Sequence, residues 1–278
     1  MRVPSATFPA MKVIIERLRL PGLFALLLMW SLPLFAEDTI YRDDLEEVFR
    51  THTTDGTFVL YDVSKDTLTV VGATRAGTRF IPASTFKVAN SLIALDLGVV
   101  ADENEVVPYG GKPQPFKAWE QDMSLREAIR VSNVPVFQEV ARRVGLGQYQ
   151  RYLEVLAYGN QQTGTDVEHF WLKGPLEISA FEQVRFLASL AQETLPISSK
   201  TQKAVRDILG TDHSGQSTLY AKSGWTNTPS PDLGWYVGWV KRSDELYVFA
   251  LNIDIHSRSD AKLRKQLAYE FLNAFGIF

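Results

Sequence analysis

The spacing of apolar residues changes twice along the chain, and this change limits the folds that the sequence can adopt. Residues 57–63 and 67–71 have the alternation of strands and are separated by a three-residue turn. From Pro82 to about Gln192 the apolar spacing becomes three and four, which predicts helices. Strand patterns return at 217–222, 234–241 and 246–254, and a final helical pattern covers 261–275. Strand-forming segments therefore flank a helical one.

The order of these segments predicts the fold class. Further helical patterns lie at 125–130, 136–144, 149–156, 181–192 and 201–209, with no repeated strand-helix-strand unit. We expect an α+β fold in which an antiparallel β-sheet is built from both chain ends and flanked by helices, with an inserted all-helical region. We assign residues 37–278 to one domain, in which 37–80 and 196–278 form the sheet region and 81–195 the helical region.

The first 36 residues have the pattern of an export signal. Basic residues precede an apolar run over 20–34, and the small residue Ala36 precedes two acidic residues. This order predicts a signal peptide, residues 1–36, that is removed after Ala36. An uncleaved membrane anchor is the alternative, because the run is nearly long enough to span a bilayer. Cleavage leaves 25 basic and 31 acidic residues, a formal charge of −6.

Charge and the rarity of some residue types exclude several functions. The whole chain has a net charge of −3 and no long run of like charges, so we expect no nucleic-acid partner. The absence of cysteine excludes disulfides, thiolate metal sites and a cysteine nucleophile. We expect no metal site, because the four histidines are isolated from one another: His52, His169, His213 and His256.

A serine and a lysine at the start of the first predicted helix form a candidate nucleophile and base. Ser84 and Lys87 are three residues apart and share one face of the helix near its positive end. A desolvated, neutral lysine can activate serine without histidine. Since the ordinary pKa of lysine is about 10.4, the site must lower this pKa by burial. A second Ser-x-x-Lys, at Ser259 and Lys262, we assign to helix capping and surface charge.

Two further short motifs follow in the chain. The Ser-Asn-Val tripeptide at 132–134 is also consistent with a plain helix cap formed by Ser132 or Asn133. The Lys-Ser-Gly tripeptide at 222–224 ends a predicted strand and, taken alone, is consistent with a turn. Each motif is weak by itself. Their joint order after Ser-x-x-Lys is the order of the penicillin-recognising serine enzymes.

Within that superfamily, residues 37–278 resemble the class D (oxacillinase-type) serine β-lactamases. Val134 distinguishes this class from class A, which has asparagine there, and no class A deacylation glutamate motif is present. The resemblance implies hydrolysis of β-lactam antibiotics through a Ser84 acyl-enzyme, and resistance of the penicillin and oxacillin type. It rests on five motifs in order: Ser84-Thr85-Phe86-Lys87, Ser132-Asn133-Val134, Tyr158-Gly159-Asn160, Phe170-Trp171-Leu172 and Lys222-Ser223-Gly224.

The resemblance also implies an unusual base. Lys87 corresponds to a lysine that reacts with CO2 to form a carbamate, the general base of acylation and deacylation. Burial that keeps the amine neutral is consistent with this, because only a neutral amine attacks CO2. Trp171 corresponds to a tryptophan that holds the carbamate, and Val134 and Leu172 to apolar residues that shield it from water. No cofactor other than CO2 or bicarbonate is implied.

Further roles are carried over in the same way. Ser132 corresponds to the hydroxyl that relays a proton to the β-lactam nitrogen, with Lys222 supplying positive potential. The backbone N–H groups of Ser84 and Trp225 correspond to an oxyanion hole. The substrate-binding positions implied by the resemblance are Ser223, Gly224, Trp225, Arg264, Val134, Leu172 and Tyr158, although a surface position is the default for Arg264 and a wall or loop role for Tyr158 and Asn160.

The resemblance implies a periplasmic enzyme that acts on small-molecule β-lactams, as a monomer or homodimer, with no stable membrane association after signal cleavage. Three alternatives remain at this point. A β-lactam sensor domain acylates without turnover, but such domains follow membrane spans. A penicillin-binding D,D-peptidase uses the same serine, but the pattern at Val134 and Trp171 favours the lactamase. A histidine-triad esterase lacks support, since no Gly-x-Ser-x-Gly is present.

Overall fold

A seven-stranded sheet lies at the centre of the described part of the protein. The structure, a computed structural model, describes residues 38–228 and 230–278, so the predicted signal peptide lies outside the described residues. The described residues fall within one unit, Phe35–Phe278. Their strands are β1 (Asp38–Tyr41), β2 (Gly56–Asp62), β3 (Thr67–Val71), β4 (Val106–Val107), β5 (Met123–Ser124), β6 (Gly210–Ser214), β7 (Ser217–Thr226), β8 (Asp232–Arg242) and β9 (Glu245–Ile255).

The sheet has the strand order β1-β3-β2-β9-β8-β7-β6. Its neighbouring strands are antiparallel except for β1 and β3, which are parallel. Because β2 pairs with β9, strands from the two ends of the chain lie side by side, which confirms the predicted α+β fold. The apolar pattern does not predict β1, whose four residues are all exposed.

Helices cover both faces of the sheet. Among the described residues they are α1 (Glu47–Thr51), α2 (Ala73–Gly77), α3 (Lys87–Asp96), α4 (Leu125–Val131), α5 (Val134–Val144), α6 (Leu146–Val155), α7 (Ala180–Ala191), α8 (Ser199–Ile208) and α9 (Leu263–Ala274). α1 and α9 pack on one face, and α7 packs on the other. No helix in these residues is both long and apolar enough to cross a membrane.

The alternation in β2 shows how the sheet forms two cores. Phe58 and Leu60 join the cluster beneath α1 and α9, while Val59 and Tyr61 join the cluster beneath α7. The ring of Phe58 stacks on that of Phe271 with centroids 4.7 Å apart. Each such side chain stabilises the fold by about 1.5–3 kcal/mol on burial. A strand that is apolar on both faces is therefore expected between two layers of helices.

The inserted region is built around α3, in which every residue from 87 to 94 is buried. α5 and α8 pack against α3, and α8 also contacts α4. α8, the helix expected after residue 196, thus packs against helices of the inserted region, and the division into residues 81–195 and 196–278 stays a prediction. Within the inserted region, β4 and β5 form a two-stranded antiparallel pair that the apolar pattern does not predict.

Helix caps explain several boundaries. Ser124 and Glu127 form a capping box at the start of α4, and Ser179 and Glu182 form another at α7. Ser259, predicted to cap a helix, does not. It lies inside a 3₁₀ helix, Arg258–Lys262, and its hydroxyl contacts Asp260 instead. Lys262 stands at the N-cap position of α9, but its side chain makes no capping hydrogen bond.

Candidate active site

Ser84 and Lys87 meet where a 3₁₀ helix, Ala83–Phe86, continues into α3. Lys87 Nζ lies 2.7 Å from Ser84 Oγ. The Lys87 side chain is fully buried and lies over the ring of Phe137, 5.4 Å from its centroid. Burial, helped by the nearby charge of Lys222, holds the pKa of Lys87 well below its ordinary value. A neutral amine at this distance can accept the serine proton.

Ser132 and Lys222 form a second pair of polar groups. Ser132 ends α4 in the left-handed conformation, with φ of 57°, and Asn133 caps α5 by accepting from the N–H of Val136. Asn133 therefore performs the capping, while the Ser132 hydroxyl accepts a 3.0 Å hydrogen bond from Lys222 Nζ. Burial, followed by the charge of Arg264, lowers the pKa of Lys222 to about 7.

The end of β7 lies against the segment that carries Ser84. β6 pairs with β7 only as far as Ala221, so from Lys222 onward β7 has one strand partner, β8, among the described residues. A Cβ at Gly224 would lie 3.0 Å from the carbonyl oxygen of Pro82. Glycine thus permits the close approach of β7 to the segment that carries Ser84, as the predicted oxyanion hole requires.

Arg264, at the start of α9, reaches the same strand. Its guanidinium donates to the carbonyl oxygens of Gly224 and Ala261. It forms no ion pair with a carboxylate in the part of the chain that the structure describes. Burial lowers the pKa of Arg264 to about 10. A partly buried cation without a carboxylate partner among the described residues can receive one from a ligand.

Trp171 lies beside the catalytic segment. Its ring centroid is 5.6 Å from that of Phe86, which stands between Ser84 and Lys87 in sequence. The indole is fully buried, and its N–H has no hydrogen-bond partner among the described residues. An unpaired buried donor costs about 1–3 kcal/mol. This N–H therefore marks a place where an acceptor is expected.

The remaining motif residues have different surroundings. Val134 and Leu172 are partly buried, and the Leu172 carbonyl accepts from the hydroxyl of Thr226 at 3.0 Å. Tyr158 is fully buried and packs edge-on against Phe86, as the expected wall role requires, and its contact with substrate stays a prediction. Asn160 holds its loop by donating to the carbonyl of Pro175 at 2.8 Å.

Trp119 and Phe116, which no motif includes, lie near the end of α4, just before Ser132. Trp119 donates its indole N–H to the carbonyl of Val131 at 3.0 Å, and the rings of Phe116 and Trp119 are 4.7 Å apart. Phe116 is 51% exposed and Val131 is 41% exposed, which is unusual for apolar side chains in one place. The only sequence signal was that Phe116 and Trp119 lie close together in a largely polar loop.

Comparisons with known proteins agree with this geometry. The family model for the penicillin binding protein transpeptidase domain matches residues 56–273. The chain is 42% identical over 232 residues to β-lactamase OXA-5 of Pseudomonas aeruginosa, covering 82% of this chain and 87% of that protein. It is 35% identical over 255 residues to β-lactamase OXA-48 of Klebsiella pneumoniae, covering 92% and 96%.

A solved structure gives the same result. The fold matches FUS-1 (OXA-85), a class D β-lactamase of Fusobacterium nucleatum subsp. polymorphum, with a TM-score of 0.82 and 37% identity over 84% of this chain and 98% of that one. The fold and the Ser84 site define a penicillin-recognising serine enzyme. Within that class, the chain belongs to the class D serine β-lactamases.

Proposed function

We propose that this β-lactamase works through an acyl-enzyme on Ser84, with Lys87 as the site of the general base. The observation that carries the proposal is the 2.7 Å contact between Ser84 Oγ and the buried Lys87 Nζ, whose pKa is held well below its ordinary value. Ser84 Oγ attacks the β-lactam carbonyl carbon as its proton leaves toward Lys87. The C–N bond of the ring then breaks.

Other residues of the chain assist this reaction. The backbone N–H groups of Ser84 and Trp225 stabilise the developing oxyanion, supported by the close approach of β7 at Gly224. Ser132 passes a proton to the ring nitrogen, since its hydroxyl is hydrogen-bonded to Lys222. A Lys222 pKa of about 7 lets this lysine give or take a proton at neutral pH.

The substrate carboxylate binds between β7 and α9. Arg264 supplies a partly buried guanidinium with no carboxylate partner among the described residues, and Ser223 supplies a hydroxyl next to Lys222. The positive charges of Lys222 and Arg264 repel each other, because the charge of Arg264 contributes to the lowered pKa of Lys222. An anionic substrate relieves this repulsion.

The residues around Lys87 fit a carbamate on its amine. When formed from CO2, the carbamate supplies an anionic base in place of a neutral amine. The unpaired N–H of the buried Trp171 would hold it, and the low pKa of Lys87 keeps the amine reactive toward CO2. Val134 and Leu172, both partly buried, would limit the access of water.

We infer that penicillins with aromatic side chains, of the oxacillin type, are favoured substrates. The Phe116 and Trp119 rings form an apolar wall beside Ser132, which a flat aryl group can contact. Export to the periplasm is proposed from the sequence of residues 1–36, by their basic, apolar and small-residue order.

The testing experiment measures hydrolysis of a penicillin and a chromogenic cephalosporin by residues 37–278, with and without bicarbonate. The intact mass is recorded in parallel, and peptide mapping of the trapped adduct locates the acylated residue. We expect turnover that bicarbonate accelerates after CO2 stripping, and a transient acyl adduct on Ser84. Rates indifferent to bicarbonate would overturn the carbamate, and an adduct on another residue would overturn Ser84 as nucleophile.

A further inference from the structure

The backbone directly before Ser84 is strained. Ala83 has φ of 49°, in the left-handed region that residues with a Cβ avoid. Such a conformation persists only where surrounding contacts hold it, and it occurs often at active sites. The position of the Ser84 hydroxyl and N–H therefore depends on whatever fixes the turn at Pro82 and Ala83.

Hydrogen bonds from β8 and from within the 3₁₀ helix hold this turn. Trp235 of β8 donates its indole N–H to the carbonyl of Ile81 at 3.0 Å. The carbonyl of Pro82 accepts twice from Thr85, from the hydroxyl at 2.7 Å and from the N–H at 3.1 Å. The Thr85 hydroxyl thus ties the residue after Ser84 to the residue before the strained Ala83.

Gln183 of α7 controls the direction of that hydroxyl. Its side-chain N–H donates to Thr85 Oγ1 at 2.8 Å, and the residue is 1% exposed. Because the Thr85 oxygen accepts from Gln183, its own hydrogen is directed to Pro82. The buried hydroxyl of Tyr158 lies against the same two residues without a hydrogen bond of standard geometry in the described structure.

We propose that Gln183 is a positioning residue for the acylation of Ser84. Acting through Thr85, it holds the Pro82 and Ala83 turn, and this turn places both the nucleophilic oxygen and the N–H of Ser84. The role rests on Ser84 being the nucleophile. Gln183 comes 98 residues after Thr85 in the chain. The proposal therefore gives α7 a role in positioning Ser84 in addition to its role in the core.

The chain offers a matched control for this role. Gln202 is equally buried, at 1% exposed, and its amide donates to the carbonyls of Leu195 and Ile197. Gln183→Met and Gln202→Met each remove one buried amide, so both are expected to lower the melting temperature. Only Gln183→Met should slow the acylation step, because only Gln183 is connected to the Ser84 segment.

The measurement is the single-turnover acylation rate, normalised to the folded fraction. A displacement of about 1 Å at reacting atoms slows reactions by up to 100-fold, so we expect a loss of roughly 10- to 100-fold for Gln183→Met. Gln202→Met should stay within about two-fold of the wild type. Equal rates for the two variants would overturn the positioning role, since a structural role alone moves only the melting temperature.

A second variant tests the hydrogen bond itself. Gln183→Glu has the same shape, and its carboxyl can donate to Thr85 only when protonated, which burial favours. The ratio of its acylation rate to that of the wild type should therefore rise as the pH is lowered from 8 to 5. A ratio that stays low at every pH would contradict a donor role, even if Gln183→Met fails to fold.

Thr85→Val closes a double-mutant cycle. If Gln183 acts through Thr85, adding Gln183→Met to Thr85→Val should slow acylation no further, whereas multiplied losses would show an independent effect and overturn the proposal. Peptide mapping of the wild-type acyl adduct by mass spectrometry separates a failure of the proposed function from a failure of the role of Gln183. A wild-type adduct away from Ser84 defeats the proposed function, while an adduct on Ser84 with unaltered variant rates defeats only the role of Gln183.

Discussion

Gly234 leaves the space that the side chain of Arg264 occupies. A Cβ built on Gly234 would lie 2.5 Å from Cδ and 2.7 Å from Cγ of Arg264. Gly234 of β8 pairs with Trp225 of β7, so the glycine lies on the strand next to the one that carries the proposed substrate-binding residues. The absence of a side chain on β8 thus lets an arginine from α9 reach the carbonyl of Gly224.

Gly234→Ala should therefore imitate the loss of Arg264. The added methyl displaces the guanidinium, and losing a hydrogen bond to a charged group costs about 1.5–3 kcal/mol, so KM for a penicillin should rise roughly 10- to 100-fold. Arg264→Met should give a rise of similar size. Steady-state kinetics of both variants and of the double variant provide the check.

The double variant is the control for this prediction. Because both changes act on one group, their effects on KM should not multiply. Gly234→Ala should also lower stability, since the same Cβ would lie 2.5 Å from Cδ1 of Ile255. An unchanged KM in Arg264→Met would remove Arg264 from the carboxylate site.

Lys87→Met should abolish turnover and yet stabilise the protein at neutral pH in bicarbonate-free buffer. The folded-state pKa of Lys87 is lowered by burial, so below the unfolded value of about 10.5 the unfolded chain binds a proton that the folded chain does not. This lysine therefore destabilises the fold increasingly as the pH drops below about 10.5, down to its folded pKa. Methionine fills similar space without that cost.

Denaturant unfolding of both proteins between pH 7 and 10 measures this effect. The slope of unfolding free energy against pH should be less steep for Lys87→Met by up to about 1.4 kcal/mol per pH unit. Lys222, with a folded pKa of about 7, contributes a similar slope to both proteins and cancels in the comparison. Parallel curves would mean that Lys87 is charged in the folded state.

Bicarbonate should raise the melting temperature of the wild type, because a ligand that binds only the folded state stabilises it. Lys87→Met should show no rise, and Trp171→Phe a smaller one, since it keeps an aromatic ring but loses the unpaired indole N–H. Trp239→Phe serves as the control, because Trp239 is also buried but stacks on Tyr220. Equal bicarbonate responses in the two tryptophan variants would contradict the role of Trp171.

The sequence predicted those elements whose pattern is local. The strands that became β2, β3, β7, β8 and β9 alternate, and α3 carries apolar residues at helical spacing, so the period alone reveals them. The pair Ser84 and Lys87 was predictable for the same reason, because three residues of helix bring the side chains together.

Features that depend on contacts between distant segments were not predictable. Gln183 lies in an ordinary apolar helix pattern, and only its contact with Thr85 distinguishes it. Arg264 looked like a surface residue of a helix, because the space left by Gly234 is created by the fold. β1 has no buried face, so its parallel pairing with β3 leaves no trace in the apolar pattern.

The apolar wall beside Ser132 should determine which penicillins the enzyme prefers. Phe116→Ser removes the ring that packs on Trp119. Because this ring is 51% exposed, the change should lower the free energy of unfolding only slightly. A contact between two aromatic rings contributes about 0.5–1.5 kcal/mol, in addition to the apolar area buried. We therefore expect kcat/KM for oxacillin to fall roughly 10-fold, and kcat/KM for 6-aminopenicillanic acid, which lacks an aryl side chain, to change less than about two-fold.

Val155→Ser provides the matched control, because Val155 is 40% exposed on α6 and contributes to none of the contacts described at the site. It should leave the ratio of the two substrates unchanged. If Phe116→Ser lowers kcat/KM equally for both penicillins, the ring acts on the position of Ser132 and not on the substrate side chain. Selective loss with oxacillin instead means that the wall formed by Phe116 and Trp119 contacts the aryl group in the transition state, since only such contacts alter kcat/KM for one substrate alone.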